Sequence, residues 1–144
     1  MTLAALVLAL FELAGGPGRG AKLDDIQRLA PVLLREAGRA SPPFDPVLLG
    51  AIAFAESGYR PGARGSAQEI GVFQIHPKGM ALYLCRGLVV SRLEDNARCG
   101  RILLEHARRT CGGSPSNWLG SFNGRRCGGS SYADRVLAIR RRVR

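Results

Sequence analysis

The chain has 144 residues, enough for one compact domain and too few for two of ordinary size. Hydrophobic residues make up 46% and charged ones 22%, which excludes a disordered chain, and the 19 glycines and 8 prolines predict helices separated by many loops. The formal net charge is +10, from 21 basic against 11 acidic side chains; it favours polyanions, whether nucleic acid, an anionic membrane surface or an anionic cell wall, and does not by itself choose among them.

The first element is an unbroken apolar run, Leu3 to Phe11 (LAALVLALF). It is shorter than the roughly 20 residues that span a bilayer, so no transmembrane helix is expected. It has the length of a signal-peptide core, and Ala14-Gly15-Gly16 supplies small residues in a cleavage-like pattern. No basic residue precedes the run and Glu12 follows it, which leaves a buried N-terminal helix as the other reading. The expected division is therefore 1–20, signal peptide or apolar N-terminal segment, and 21–144, the functional domain.

After the glycine-rich stretch Gly15 to Gly20, Asp24-Asp25 opens an amphipathic segment with Ile26, Leu29, Leu33, Leu34 and Ala37 on one side. Pro31 should kink it or mark its true start. Residues 38–46 read as a loop. Asp45-Pro46 is then a strong helix start, an N-cap acid with proline at the first helical position. The helix VLLGAIAFAES runs to Gly58, a natural C-cap. Having no polar face, it is expected to be a buried central helix, with Glu56 in its last turn.

Residues 59–80 are loop-rich, and Gly71 to Ile75 suits either a short strand or a helix start. Asp95 or Asn96 should cap the next helix, which contains Ile102, Leu103 and Leu104 and ends at Gly112-Gly113. Ser114-Pro115 starts another, carrying Trp118 and Phe122 and ending near Gly124. Tyr132, Val136, Ile139 and Val143 then form one helical stripe. Alternating strand patterns are missing, so the fold class is mainly α.

Cysteines stand at Cys85, Cys99, Cys111 and Cys127, with no Cys-x-x-Cys pair. That argues against a zinc site and for two disulfides formed in an oxidising compartment, hence for export to the periplasm or beyond. Cys99 and Cys111 would lie about 18 Å apart on a continuous helix, too far for a bond. Of the remaining connectivities the local one is preferred, Cys85 to Cys99 and Cys111 to Cys127.

Glu56 is the first candidate for chemistry. Burial and the negative end of a helix dipole both disfavour its charged form, the direction a general acid needs near neutral pH. Around it, Glu56-Ser57-Gly58-Tyr59-Arg60-Pro61 and Gly71-Val72-Phe73-Gln74-Ile75-His76-Pro77, followed by Asn96, Phe122-Asn123-Gly124, and Tyr132 with Val136, resemble the soluble lytic transglycosylase family, whose catalytic domain is lysozyme-like. The resemblance covers about residues 45–140.

What this resemblance implies is specific. Residues 21–144 would be a lysozyme-like domain with a central buried helix and a loop-rich substrate cleft. Glu56 would be the single catalytic acid/base, cleaving the bond between N-acetylmuramic acid and N-acetylglucosamine in peptidoglycan glycan strands. It would protonate the glycosidic oxygen, then activate the 6-hydroxyl of the muramic ring to give a 1,6-anhydro product, the substrate's acetamido group steadying the cation. Gln74 would bond the sugar, Gly71 would let backbone approach it, Asn123, Phe122 and Tyr132 would line the cleft, and Ser57 would orient the acid. No cofactor or metal is implied. Secretion, conjugation or phage machinery are the partners such chemistry serves.

There are departures from the family. Phe122 stands where a tyrosine is frequent, losing its hydroxyl; Gly124 and Arg125 follow Asn123 directly; Gly65-Ser66 displaces a serine. Glu69 is an additional carboxylate that would suit a water-using muramidase. His76 and His106 read as surface residues. Other readings are an inert wall-binding module and a nucleic-acid binder using Arg125, Arg126 and Arg140 to Arg142 on phosphates; no binding motif supports the last, and no nucleic-acid partner is expected.

Overall fold

The computed structural model describes residues 1–16 and 21–144. Pro17 to Gly20, the end of the glycine-rich stretch and the boundary drawn at residue 20, lie outside the described residues. Among those described there are seven helices and no strand beyond isolated antiparallel bridges, Arg64 to Ile70 and Ile70 to Ile75. The mainly α expectation holds. None of the helices is long and apolar enough to cross a membrane.

Helix α1 (Leu3–Leu13) is the apolar run. Thr2 caps it by accepting from the Ala5 amide, and Leu6, Ala9, Leu10 and Leu13 turn one face into the core. The opposite face leaves Leu3 and Leu8 exposed. Two contacts fix α1 to the central helix and the turn after it. A Cβ at Gly50 would collide with the Leu10 side chain, so glycine there sets how closely the helices approach. The Tyr59 hydroxyl donates to the Leu10 carbonyl at 2.8 Å.

Helix α2 (Leu23–Arg39) starts before Asp24-Asp25, which occupy its first turn, where acids favour the dipole. It continues through Pro31, so that proline is not its start. On its inner face Glu36 is 1% exposed, with Arg39 at 2.7 Å and Arg101 at 3.1 Å. Arg101 also pairs with Glu105 on its own helix. A buried carboxylate is tolerated only when paired and hydrogen-bonded, and this cluster joins α2 to α5. It draws on residues 65 positions apart and no local pattern announced it.

Helix α3 (Pro46–Ser57) follows its sequence signals closely. Asp45 accepts from the Val47 amide at 2.9 Å, Pro46 takes the first turn, and Gly58 ends the helix with φ 60°. Val47 to Ala53 are all buried. The helix packs on α1, α2 and α7, the central position expected of a helix with no polar face.

The remaining helices are α4 (Ala81–Leu84), α5 (Leu93–Cys111), α6 (Pro115–Phe122) and α7 (Ser131–Arg140). α5 is the long second axis, touching α2, α4 and α6. Tyr132, Val136 and Ile139 form the buried stripe of α7, while Val143 lies beyond its end. Both disulfides have the local pairing, Cys85–Cys99 and Cys111–Cys127, with Cα separations of 5.5 and 5.4 Å. The first is buried; Cys127 of the second is exposed.

Candidate active site

A cleft of about 650 Å³ opens beside the C-terminal end of α3. Glu56 and Ala55 reach it from α3, Gly65, Glu69 and Gln74 from the loop that follows, Met80 and Ala81 from the start of α4, and Ser121 to Gly124 from the end of α6. Its floor is α5, through Leu103, His106 and Ala107. These three recur at steps of three and one, so one helical face meets the cleft.

Glu56 is half-buried. Burial pushes its carboxyl above the ordinary range, and Glu69 adds to that push, while the Tyr132 hydroxyl and Arg135 oppose it. The protonated form therefore persists to higher pH than in a solvated glutamate. The Tyr132 ring is buried and its hydroxyl meets no partner at full hydrogen-bonding geometry. That hydroxyl is nevertheless close enough to Glu56 for the two to perturb each other: burial first, then the carboxylate, pushes the phenol up. Phe122 lines the same cleft as Glu56, its ring centroid 6.4 Å from that of Tyr132.

Gln74 stands in the left-handed region at φ 47°, a costly conformation for a non-glycine residue that persists only where its surroundings hold it. Its amide nitrogen donates to the carbonyls of Gly71 at 2.9 Å and Ala63 at 3.2 Å. Both protons are engaged, which leaves the amide oxygen as the free acceptor. A Cβ built on Gly65 would sit 2.8 Å from that oxygen and still closer to the Glu69 carboxylate, so the two side chains converge there. Glu69 itself accepts from the Ala67 amide at 3.1 Å.

Several residues hold positions that differ from the expected ones. Ser57 does not reach the cleft; it is 3% exposed and donates to the Val72 carbonyl at 2.8 Å, with the Ala53 carbonyl at 3.0 Å as second acceptor. It ties the end of α3 to the Gln74 loop. Gly71 is buried at φ 77°, and a Cβ there would strike the Asn96 amide, so glycine at this position admits the Asn96 side chain. Tyr132 lies behind the main cleft and faces a neighbouring pocket. The stretch Gly71 to Ile75 is neither strand nor helix but a turn closed by the reciprocal Ile70 and Ile75 amide bonds.

Asn96 is also not a cap. The helix begins at Leu93, and Asn96 sits buried in its first turn. Its carbonyl oxygen accepts from the Phe73 amide at 2.9 Å, and its nitrogen donates to the carbonyls of Ile70 and Val90, both at 2.8 Å. One amide therefore stitches α5 to the loop that carries Gln74. His76 is exposed, as expected of a surface residue, and His106 is half-buried; both line the cleft. For His106 the signal was present, since Leu103 and Ala107 share its helical face.

The C-terminal arginines are partly engaged. Arg140 pairs with Asp45 at 2.6 Å, and Arg142 donates to the Leu13 carbonyl, which removes two of the three from a free phosphate-binding cluster. Among the described residues no group of His, Cys, Asp and Glu is arranged to hold a metal ion. No family model, curated protein or solved structure matches the chain.

Proposed function

We propose that this protein is a peptidoglycan lytic transglycosylase with a lysozyme-like build, exported to a compartment where its two disulfides form. The observation that carries this reading is Glu56: a half-buried carboxyl whose protonated form burial favours, lining a cleft large enough for a sugar chain.

The chemistry follows from the groups present. Protonated Glu56 donates to the glycosidic oxygen as the bond to the muramic carbon breaks. The resulting carboxylate is steadied by the Tyr132 hydroxyl and the Arg135 charge, the groups that favour its ionised form. It then takes the proton of the muramic 6-hydroxyl, whose oxygen closes the anhydro ring, and Glu56 is regenerated. Gln74, with its amide protons occupied, accepts from a sugar hydroxyl or the acetamido N–H. Phe122 shields the acid from water.

A water-using muramidase is the second reading, favoured by Glu69 on the wall of the same cleft, where it could hold a water opposite the acid. Mass spectrometry of fragments released from purified peptidoglycan separates the two. Anhydro products, lighter by one water than hydrolytic ones, are expected. Glu56→Gln should lower release by about 100-fold or more. A variant that clears the suspension at the parental rate would overturn the mechanism.

A further inference from the structure

A second pocket of about 690 Å³ adjoins the cleft, sharing Asn123 and Gly124 with it. It is formed by the α6–α7 connection, and Arg125, Arg126, Ser131 and Tyr132 line it. Both arginines are exposed, and neither pairs with a carboxylate among the described residues. The loop that presents them is held firmly. The Arg125 amide donates to the Gly120 carbonyl at 2.9 Å, the Gly128 amide to the Asn117 carbonyl at 2.8 Å, and Cys127 is bonded to Cys111. Gly124 and Gly128, at φ 77° and 110°, make the turns on either side.

Two unpaired guanidinium groups on a braced loop form a receptor for carboxylates, which the planar fork binds in bidentate fashion. We infer that this pocket is a carboxylate subsite for the peptide branch of the substrate, so that the enzyme acts preferentially on peptide-bearing glycan. The inference rests on the glycan-cleaving reading. A muramic residue bound beside Glu56 carries a peptide branch with free carboxylates, and Asn123 and Gly124 are the shared wall over which that branch passes. An anion held on this loop also lies next to the acid's own environment, with Arg135 one turn along α7 from Tyr132 and lining the main cleft.

The test compares peptide-bearing glycan strands with the same strands stripped of peptide, for the parent and for the double variant Arg125→Gln/Arg126→Gln. The readout is the ratio of kcat/KM for the two substrates, in which any loss of folded enzyme cancels. The parent should favour the peptide-bearing strand by about 5- to 20-fold, the range of one or two partly exposed charge-assisted pairs. In the variant the ratio should fall to within about twofold of unity, as expected once those pairs are gone. An unchanged ratio in the variant, or no preference in the parent, overturns the subsite. A parent that cleaves neither strand overturns the glycan-cleaving reading instead. The subsite is then judged by calorimetry with a soluble muramoyl peptide and its carboxyl-amidated form. Equal binding of the two would reject it, and tighter binding of the free carboxylate, lost in the variant, would sustain it.

Discussion

Replacing Asn96 with alanine should unseat the loop that carries Gln74. The side chain makes three hydrogen bonds, one to the buried Phe73 amide and two to the partly buried carbonyls of Ile70 and Val90. Stranding a buried donor costs about 1–3 kcal/mol, and each of the other two bonds contributes about 0.5–1.5 kcal/mol. The expected destabilisation is therefore about 2–6 kcal/mol, a drop in Tm on the order of 10 °C for a chain of this length. Asn96→Asp retains the acceptor for Phe73 but sets a second carboxylate oxygen against two carbonyls, so it should also destabilise. Urea unfolding gives the free energy. Peptidoglycan turnover, measured well below the melting range, should fall as well, because Gln74 holds its left-handed backbone only while the loop is tied down. A loss below about 1 kcal/mol in Asn96→Ala would refute this account, since it would mean the three partners find water or one another without cost.

Two further outcomes follow from the site. The Tyr132 hydroxyl favours ionised Glu56, so Tyr132→Phe should raise the acid's pKa further and move the alkaline loss of kcat to higher pH; stability should change by less than about 1 kcal/mol, because that hydroxyl has no full partner. A shift of the limb to lower pH would contradict this arrangement. Graded reductant followed by alkylation and mass mapping should open Cys111–Cys127 before the buried Cys85–Cys99, with activity falling at the first step as the Asn123 loop loosens; full reduction should cost about 2–5 kcal/mol per bridge. Opening in the reverse order would count against the described exposures.

The helices were legible where their signals are local. Asp45-Pro46, the apolar run after it and Gly58 bound α3 because capping and proline geometry act within one turn. Helix length excluded a bond between Cys99 and Cys111, and of the two connectivities left the preferred local one is the one found. What escaped were contacts between distant segments. Asn96 stands three residues inside a helix start, the place where a cap is easily misassigned, and two of its three bonds run to residues more than twenty positions earlier. Ser57 and Gly71 were singled out through the family resemblance; what one sequence could not show is that the Ser57 hydroxyl donates to the Val72 carbonyl and that Gly71 packs against the Asn96 amide. Glu36 gave no hint of its arginine cluster. His106 was readable only with a partner face in view, since flanking arginines made it look solvated.

Both disulfides attach to α5, one near its beginning and one at its final residue. Each fastens a different flank of the cleft: the first lies just after Met80 and Ala81, the second just after Ser121 to Gly124. The helix between the two anchors thus works as a calliper bar, with its own side chains at 103, 106 and 107 as the floor between the jaws. The jaw spacing is written in the count of residues from Cys99 to Cys111, about 18 Å of helix. Because each residue turns the helix by about 100°, inserting or removing one between the anchors would swing one jaw out of line with the other. Substitutions along the jaws can alter what the cleft grips while leaving its gauge untouched; a change in the length of this bar cannot.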